Sequence, residues 1–247
     1  MDKTHRDFLN IIGNTHKTAE GFLDKKWNEY YQKSYVNVVA RMVKDENRNS
    51  IFDVGTSYGH WMPDFRKMGF KNIYGVELSK ERALVAEKCG YEKVYNCDAA
   101  AVPHPDNSID IAVSNDVFVH ILQLDDKINV MNEVYRMLKP GGCFILNHTM
   151  SKPYNFDEYF IRKYTSYLSL DKFTKIITEN TDFLIEDFKP TYYALKPDGN
   201  KIMNSICWRL AYLPGFVSGM KTRDLFYSKN KTIEYADTVY VKLRKKA

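Results

Sequence analysis

The stretch Ile51-Phe52-Asp53-Val54-Gly55-Thr56-Ser57-Tyr58-Gly59 joins a short apolar run to a helical pattern through a turn that contains glycine. A short apolar run that ends in such a turn is typical of a buried strand in a parallel sheet. Gly55 permits a sharp turn off the strand, and Gly59 lets the next helix begin close to a ligand. Taken alone, the turn is equally consistent with a nucleotide site and with tight packing.

Strand and helix patterns alternate on both sides of this turn. The predicted strands cover residues 50–54, 72–76, 93–96, 108–114 and 143–147, and the predicted helices between them cover 58–67, 79–89 and 125–138. Farther along, the sequence predicts a helix over 169–179 and two strands, 183–195 and 238–243. Alternating strands and helices with right-handed crossovers give an α/β fold with a doubly wound, mostly parallel sheet, here of seven strands.

The rest of the chain surrounds this predicted core, which spans residues 49–195. Residues 1–48 are predicted to form a helical lid, because apolar residues recur at helical spacing over 20–46. Residues 196–236 form a long insert that is rich in aromatic side chains, and we expect it to be helical and to cover an acceptor. Residues 237–247 hold the last strand and a basic tail.

Composition excludes several classes of protein. The 247 residues carry a net charge of +5, which is too small for a dedicated nucleic-acid binder, and the cluster Lys242–Lys246 is interpreted as a solvated tail. The chain has no apolar run of the roughly 20 residues that a membrane span needs. Its N-terminus lacks the pattern of a signal peptide, and its four cysteines form no CxxC pair. These features predict a cytoplasmic protein.

Three further polar residues follow successive predicted strands, so the fold would bring them to one edge of the sheet. Glu77 follows the second strand, where a carboxylate can accept hydrogen bonds from both hydroxyls of a ribose. Asp98 follows the third strand and can accept a hydrogen bond from the exocyclic amine of adenine, while Asn115 follows the fourth. Together these turns predict an adenosine-type ligand. The spacing from Gly55 to Gly59 departs from the GxGxxG fingerprint, which disfavours NAD.

Over residues 50 to about 150, the chain resembles class I S-adenosylmethionine-dependent methyltransferases of the small-core, methyltransferase type 11-like group. Four motifs carry the resemblance in order: 51–59, Tyr74-Gly75-Val76-Glu77-Leu78-Ser79, 98–110 and Asn132-Glu133-Val134-Tyr135-Arg136-Met137-Leu138-Lys139-Pro140-Gly141-Gly142. The family usually has glycine, or a small residue before glycine, at position 57, where this chain departs from the pattern with serine. Glu133 and Arg136 are interpreted as surface or packing residues.

The resemblance implies S-adenosyl-L-methionine as cofactor and S-adenosyl-L-homocysteine as product. The cofactor-binding residues it implies are Asp53, Gly55, Thr56, Ser57 and Gly59 at the methionine end, Glu77 at the ribose, Leu78, Asp98 and Ala99 at the adenine, and Asn115 at the amino-acid end.

Methyl transfer needs alignment of the two reactants and, for a hydroxyl acceptor, a group that removes a proton. His148, just past the fifth predicted strand, and His120, in the turn after the fourth, are the two candidate catalytic bases. Either could instead be a hydrogen-bonded structural imidazole. Some relatives carry a Glu-His pair here, and some of those bind a divalent metal. Val119 stands in place of that glutamate, so no metal is predicted.

Tyr30 and Tyr31 on the predicted lid, together with His148, are the candidate substrate-binding residues, although ordinary helix packing explains the same tyrosine spacing. The expected partner is a small-molecule acceptor, with O-methylation of a sugar or similar metabolite as the leading hypothesis. The alternatives are a methyltransferase acting on RNA or protein and a non-catalytic scaffold with the methyltransferase fold.

Overall fold

The computed structural model describes residues 35–149, 160–162, 165–191 and 238–247. Within these ranges no helix is long and apolar enough to cross a membrane. Tyr30 and Tyr31, most of the predicted lid and the predicted insert over 196–236 lie outside the described residues.

A seven-stranded sheet forms the centre of the structure, and its strands lie in the order β3 (Lys93–Tyr95), β2 (Asn72–Val76), β1 (Ser50–Val54), β4 (Ile109–Ser114), β5 (Leu138–Thr149), β9 (Thr238–Arg244) and β8 (Leu184–Thr191). Strands β1 to β5 are mutually parallel, and β9 runs antiparallel between β5 and β8. The predicted fold class is therefore confirmed.

The helices fall close to the predicted ranges. They are α1 (described over 35–42), α2 (Met62–Lys67), α3 (Lys80–Glu87), the short 3-10 helix η1 (Phe118–His120), α4 (Leu124–Met137) and α5 (Leu170–Asn180). Ser79 is the N-cap of α3 as predicted, and Ser169 caps α5 by accepting a hydrogen bond from the Lys172 amide. Helix α2 begins later than predicted because residues 57–61 form a turn.

The core lies on both faces of the sheet, as a doubly wound fold requires. Successive residues of β1 point to opposite faces: Phe52 joins a cluster with Met131 of α4 and Phe173 of α5, whereas Ile51 joins a cluster with Phe65 of α2. All of these side chains are fully buried. The continuous apolar run of β1 therefore reflects burial on both sides.

One described element was not predicted. Strands β6 (Phe160–Arg162) and β7 (Thr165–Tyr167) pair as a short antiparallel hairpin outside the main sheet. From β7, the Ser166 hydroxyl donates to the carbonyl of Ile121 at 2.8 Å and so ties the hairpin to the chain that follows η1.

The basic segment near the C-terminus is not a solvated tail, contrary to the prediction. Lys242 is buried and pairs with Glu46 at 2.5 Å and Glu186 at 2.8 Å, and Arg244 contacts the same two carboxylates. The hydrogen bond from Arg244 is the main reason that the pKa of Glu46 is lowered to about 2. These contacts join β9 to β8 and to the segment that precedes β1.

Candidate functional site

A cavity of about 310 Å³ opens at the carboxyl ends of β1 to β4. It lies where the strand order reverses between β1 and β4, which is the usual ligand position in sheets of this kind. Its volume falls at the lower end of the range for small-molecule sites. The cavity brings together eight of the predicted site residues: Gly55, Ser57, Glu77, Leu78, Asp98, Ala99, Asn115 and His120.

The turn after β1 forms the floor of the cavity in a conformation that favours glycine. Gly55 has φ +84°, and a Cβ added to it would lie 2.3 Å from Val117 Cγ2. Ser57 also has a positive φ, +50°, which explains why small residues suit that position. The amides of Gly55 and Thr56 both donate to the carbonyl of Val76, so the turn is fixed to the end of β2.

Glu77 sits at the centre of the cavity wall and is held by two backbone amides. Its Oε2 accepts from the Ser57 amide at 2.9 Å and its Oε1 from the Ser79 amide at 2.8 Å. A carboxylate has about four acceptor positions, so each oxygen retains one for a ligand. Two neighbouring hydroxyls match that pair of positions.

Asp98 lies at one end of the cavity, in the turn after β3. Its Oδ1 accepts from the Ala100 amide at 3.0 Å, and the residue lines the cavity. Asn96, which sequence reasoning missed, supports this end because its Nδ2 donates to the carbonyls of Glu77 and Leu78 at 2.9 and 3.0 Å. The amide side chain thereby links the turn after β3 to the turn after β2.

Asn115 and Asp116 lie at the other end of the cavity, after β4. Asn115 Oδ1 accepts a hydrogen bond from the Tyr240 hydroxyl at 2.6 Å. Asp116 has φ +54° and is fixed by Asn147 of β5, which accepts from the Asp116 amide at 2.7 Å and donates to its carboxylate at 2.6 Å.

Helix η1 forms the wall beyond this end, and His120 at its last position lines the cavity. Lys127 of α4 holds η1 in place: its ammonium group is buried and donates to the carbonyl of Phe118. Burial lowers the pKa of Lys127 to about 7. No sequence signal beyond a charged residue in an amphipathic helix marked this lysine.

Three of the predicted cofactor residues lie beneath the cavity instead of lining it. Asp53 is buried and accepts from the Tyr91 hydroxyl at 2.7 Å, and burial raises its pKa to about 7. Thr56 packs against Gly75 of β2, where an added Cβ would come within 2.1 Å of Thr56 Cγ2. Gly59 faces Cys89 behind the turn. These residues shape the turn from behind, which differs from the expectation that they line the methionine end.

His148 does not line the cavity either. It is buried in β5, where its Nε2 lies 2.9 Å from the Leu168 carbonyl and its ring stacks on Phe173 with centroids 4.2 Å apart. Since a carbonyl only accepts, Nε2 carries the proton and donates. Burial lowers the pKa of His148 to about 4. These contacts give His148 a packing role, which corrects the expectation that it acts as a base and contacts the acceptor.

Glu133 and Arg136 of α4 hold the loop between β3 and β4. Glu133 Oε1 accepts from the Val102 amide at 2.7 Å, and Arg136 donates to the carbonyls of Val102 and His104 at 2.9 and 2.8 Å. The prediction of a packing role is consistent with these contacts.

The dimensions of the cavity follow from the sheet. Its polar groups follow β3 (Asp98), β2 (Glu77), β1 (Gly55, Ser57) and β4 (Asn115), which are consecutive neighbours in the sheet. Neighbouring strands lie about 4.8 Å apart, so the two ends are separated by roughly 14 Å. That span suits an elongated ligand with a hydroxyl pair near its middle.

The family model described as "Methyltransferase domain" matches residues 52–146. Residues 52–146 are a class I methyltransferase domain. The chain is 27% identical over 144 residues to the sterol 4-C-methyltransferase strm-1 of Caenorhabditis elegans, covering 54% of this chain and 41% of that protein. It is 32% identical over 111 residues to the dimethylglycine N-methyltransferase of Parasynechococcus marenigrum, covering 41% and 38%. The chain thus spans about two fifths of the length of these relatives.

Solved structures share the fold of this methyltransferase domain at low sequence identity. A chain from the complex between the Haloferax volcanii Trm112 methyltransferase activator and a methyltransferase has a TM-score of 0.61 at 16% identity, covering 93% of this chain and 96% of that one. The [4+2]-cyclase SpnF has a TM-score of 0.60 at 17% identity, covering 87% and 80%. Because a protein named as a cyclase shares the fold, the fold alone does not establish the reaction.

The residues of the methyltransferase domain fit an S-adenosylmethionine ligand. Glu77 has two remaining acceptor positions, which would suit the ribose hydroxyls, and the Asp98 carboxylate is an acceptor that would suit the adenine amine. At the opposite end, Asn115 Nδ2 is a buried donor that has no hydrogen-bond partner among the described residues. In the described ranges no cluster of three potential metal ligands occurs.

Proposed function

We propose that this chain transfers a methyl group from S-adenosylmethionine to a small-molecule acceptor. The observation that carries the proposal is the Glu77 carboxylate, which two backbone amides orient at the middle of the cavity. Asp98 at one end and Asn115 at the other give this cavity the order of groups that adenine, ribose and amino acid require. The family match over residues 52–146 supports the same cofactor.

Each described residue would contribute by holding or orienting. Glu77 would hold the ribose, Leu78 and Ala99 would pack on the adenine beside Asp98, and the turn at Gly55 would allow the cofactor to approach the backbone. When bound, S-adenosylmethionine supplies a methyl group on a positively charged sulfur. Alignment of that methyl group with the acceptor in a site that excludes water accounts for much of the acceleration.

His120 is the candidate base on the acceptor side. It lines the cavity from η1, next to the end where the amino-acid part of the cofactor would lie. An imidazole within hydrogen-bond reach can take the proton from a hydroxyl as its oxygen is methylated. We therefore propose an oxygen acceptor, with a sugar or similar metabolite as its class.

The charge distribution supports a small acceptor over RNA. Lys242, Arg244 and Lys245, three of the four basic residues in the last six positions of the chain, are engaged within the molecule. Lys245 donates to the carbonyls of Tyr135 and Leu138 at the end of α4. Residues with these partners are poorly placed to contact phosphates.

An acceptor screen tests the proposal. Release of S-adenosylhomocysteine would be measured with sugars, dimethylglycine, a sterol and bulk RNA as acceptors. We expect turnover with a hydroxylated small molecule and none with RNA. Turnover that requires RNA would refute the small-molecule assignment, and failure of every acceptor class, with the cofactor bound, would favour the scaffold alternative.

The same assay tests His120. We expect His120→Gln to reduce kcat about a hundredfold or more, the usual contribution of a general base, and to change cofactor affinity less than about twofold. His60→Gln is a matched control because His60 is exposed and outside the cavity lining. Equal turnover of His120→Gln and His60→Gln would show that His120 is not the base.

A further inference from the structure

The side-chain amide of Asn115 is fixed by a tyrosine from the far end of the chain. Tyr240 is fully buried in β9, and its hydroxyl donates to Asn115 Oδ1 at 2.6 Å across a separation of 125 residues. Tyr240 lies opposite Asn147 of β5 in the sheet. The last strand thus places a hydroxyl directly behind the end of β4.

This hydrogen bond decides which atom of Asn115 is offered to the cavity. Because Oδ1 is turned towards the Tyr240 hydroxyl, the other polar atom of the amide is Nδ2, which is a donor. Nδ2 is buried and has no partner among the described residues, and such unpaired donors are rare in folded proteins. Its neighbour Asp116 is already paired with Asn147. A ligand oxygen is therefore the matching acceptor.

The ring of Tyr240 is held by packing as well as by its hydroxyl. It contacts Tyr35 of α1 edge to face, with centroids 5.5 Å apart, and Tyr35 in turn lies 6.2 Å from the ring of Trp61. Removal of the hydroxyl alone would leave these ring contacts in place. The hydroxyl and the ring can therefore be tested separately.

We propose that Tyr240 is a positioning residue that orients Asn115 so that Nδ2 donates to the carboxylate of the amino-acid end of the cofactor. The inference rests on the proposed function, because it presumes that S-adenosylmethionine occupies the cavity. It adds a residue from outside the matched range of 52–146 to the cofactor site. It also explains why an amide, with one accepting and one donating atom, suits position 115.

Two ligands separate this role from a general effect on the fold. S-adenosylhomocysteine carries the amino-acid carboxylate, whereas 5′-methylthioadenosine has the same adenosine and lacks the amino acid. Calorimetric titration of both into wild type and Tyr240→Phe should show a loss of about tenfold for S-adenosylhomocysteine, the scale of one hydrogen bond. The affinity for 5′-methylthioadenosine should change less than about twofold.

Asn115→Asp is the second variant, and Tyr95→Phe is the control. Asn115→Asp keeps an acceptor for the Tyr240 hydroxyl but replaces the donor Nδ2 by a carboxylate oxygen. It should therefore lower the affinity for S-adenosylhomocysteine more than Tyr240→Phe does. Tyr95→Phe removes another buried tyrosine hydroxyl, which contacts His104 at 3.0 Å outside the cavity lining. It should bind both ligands as wild type does.

The outcomes distinguish the inference from the proposed function. Unchanged affinity of Tyr240→Phe for S-adenosylhomocysteine, or an equal loss for both ligands, would overturn the role of Tyr240 while leaving the cofactor site intact. Wild type that binds both ligands equally would show that Asn115 donates nothing to the amino-acid end. Wild type that binds neither would overturn the proposed function and the inference with it.

Discussion

Replacement of Gly55 by alanine tests whether the turn after β1 depends on both its backbone conformation and its close packing. At φ +84°, a residue with a Cβ is strained by roughly 1–2 kcal/mol. The added Cβ would also lie 2.3 Å from Val117 Cγ2, and overpacking of this kind costs about 1–3 kcal/mol. Gly55→Ala should therefore lower the free energy of unfolding by about 2–5 kcal/mol.

A double-mutant cycle separates these two contributions. Val117→Ala removes Cγ2 and leaves only Val117 Cβ, at 3.6 Å from the new methyl group, which is an ordinary contact. In guanidinium unfolding, the double variant should be more stable than the sum of the single changes predicts, by about 1–3 kcal/mol. Strict additivity would refute the packing argument, and wild-type stability of Gly55→Ala would refute both contributions.

Three further predictions concern buried ionisable groups, and unfolding measured across pH checks each of them. Because the pKa of His148 is about 4 in the fold, the free energy of unfolding should be highest above about pH 6.5 and should fall by about 3 kcal/mol as the pH falls towards 4. His148→Gln should lack this loss of stability, and a wild type whose stability does not change in acid would contradict the lowered pKa. Tyr91→Phe removes the hydrogen bond that favours ionised Asp53, so it should destabilise the fold more at pH 8.5 than at pH 5, by about 1–2 kcal/mol. An equal loss of stability at both pH values would contradict this role of the Tyr91 hydroxyl. Because the pKa of Lys127 is lowered to about 7, the free energy of unfolding of wild type should rise by about 3 kcal/mol relative to that of Lys127→Met between pH 7 and 9.5. If the stabilities of the two proteins change in parallel with pH, the pKa of Lys127 is not lowered.

The sequence predicted the parallel half of the fold well because its signals are local. The apolar run of β1, the N-cap Ser79 and the turn after α4 each lie within a few residues of the element that they define. The hairpin β6–β7 was missed because its strands have three residues each, too few for a periodic pattern. The basic segment was misinterpreted because its partners, Glu46 and Glu186, lie far away along the chain.

In the candidate site, too, the residues with local signals could be predicted, and those that depend on distant parts of the chain could not. Glu77, Asp98 and Asn115 could be placed from the sequence because each follows a strand of a parallel sheet, whose carboxyl ends meet at one edge. Which histidine faces the cavity depends on the path of the chain around β5 and η1, and no local pattern gives it. The hydroxyl of Tyr240 reaches Asn115 only because β9 inserts between β5 and β8.

The most direct test of the account is calorimetric titration of S-adenosylhomocysteine into wild type and Glu77→Gln, with NAD as the ligand control. Glu77→Gln replaces one of two charged acceptors by a donor, and hydrogen bonds to charged groups contribute about 1.5–3 kcal/mol each, so affinity should fall about a hundredfold. Glu87→Gln, an exposed site on α3, should bind as wild type does. Micromolar binding that is lost in Glu77→Gln alone is the predicted result; no binding to wild type, or equal binding to Glu77→Gln, would contradict the central claim.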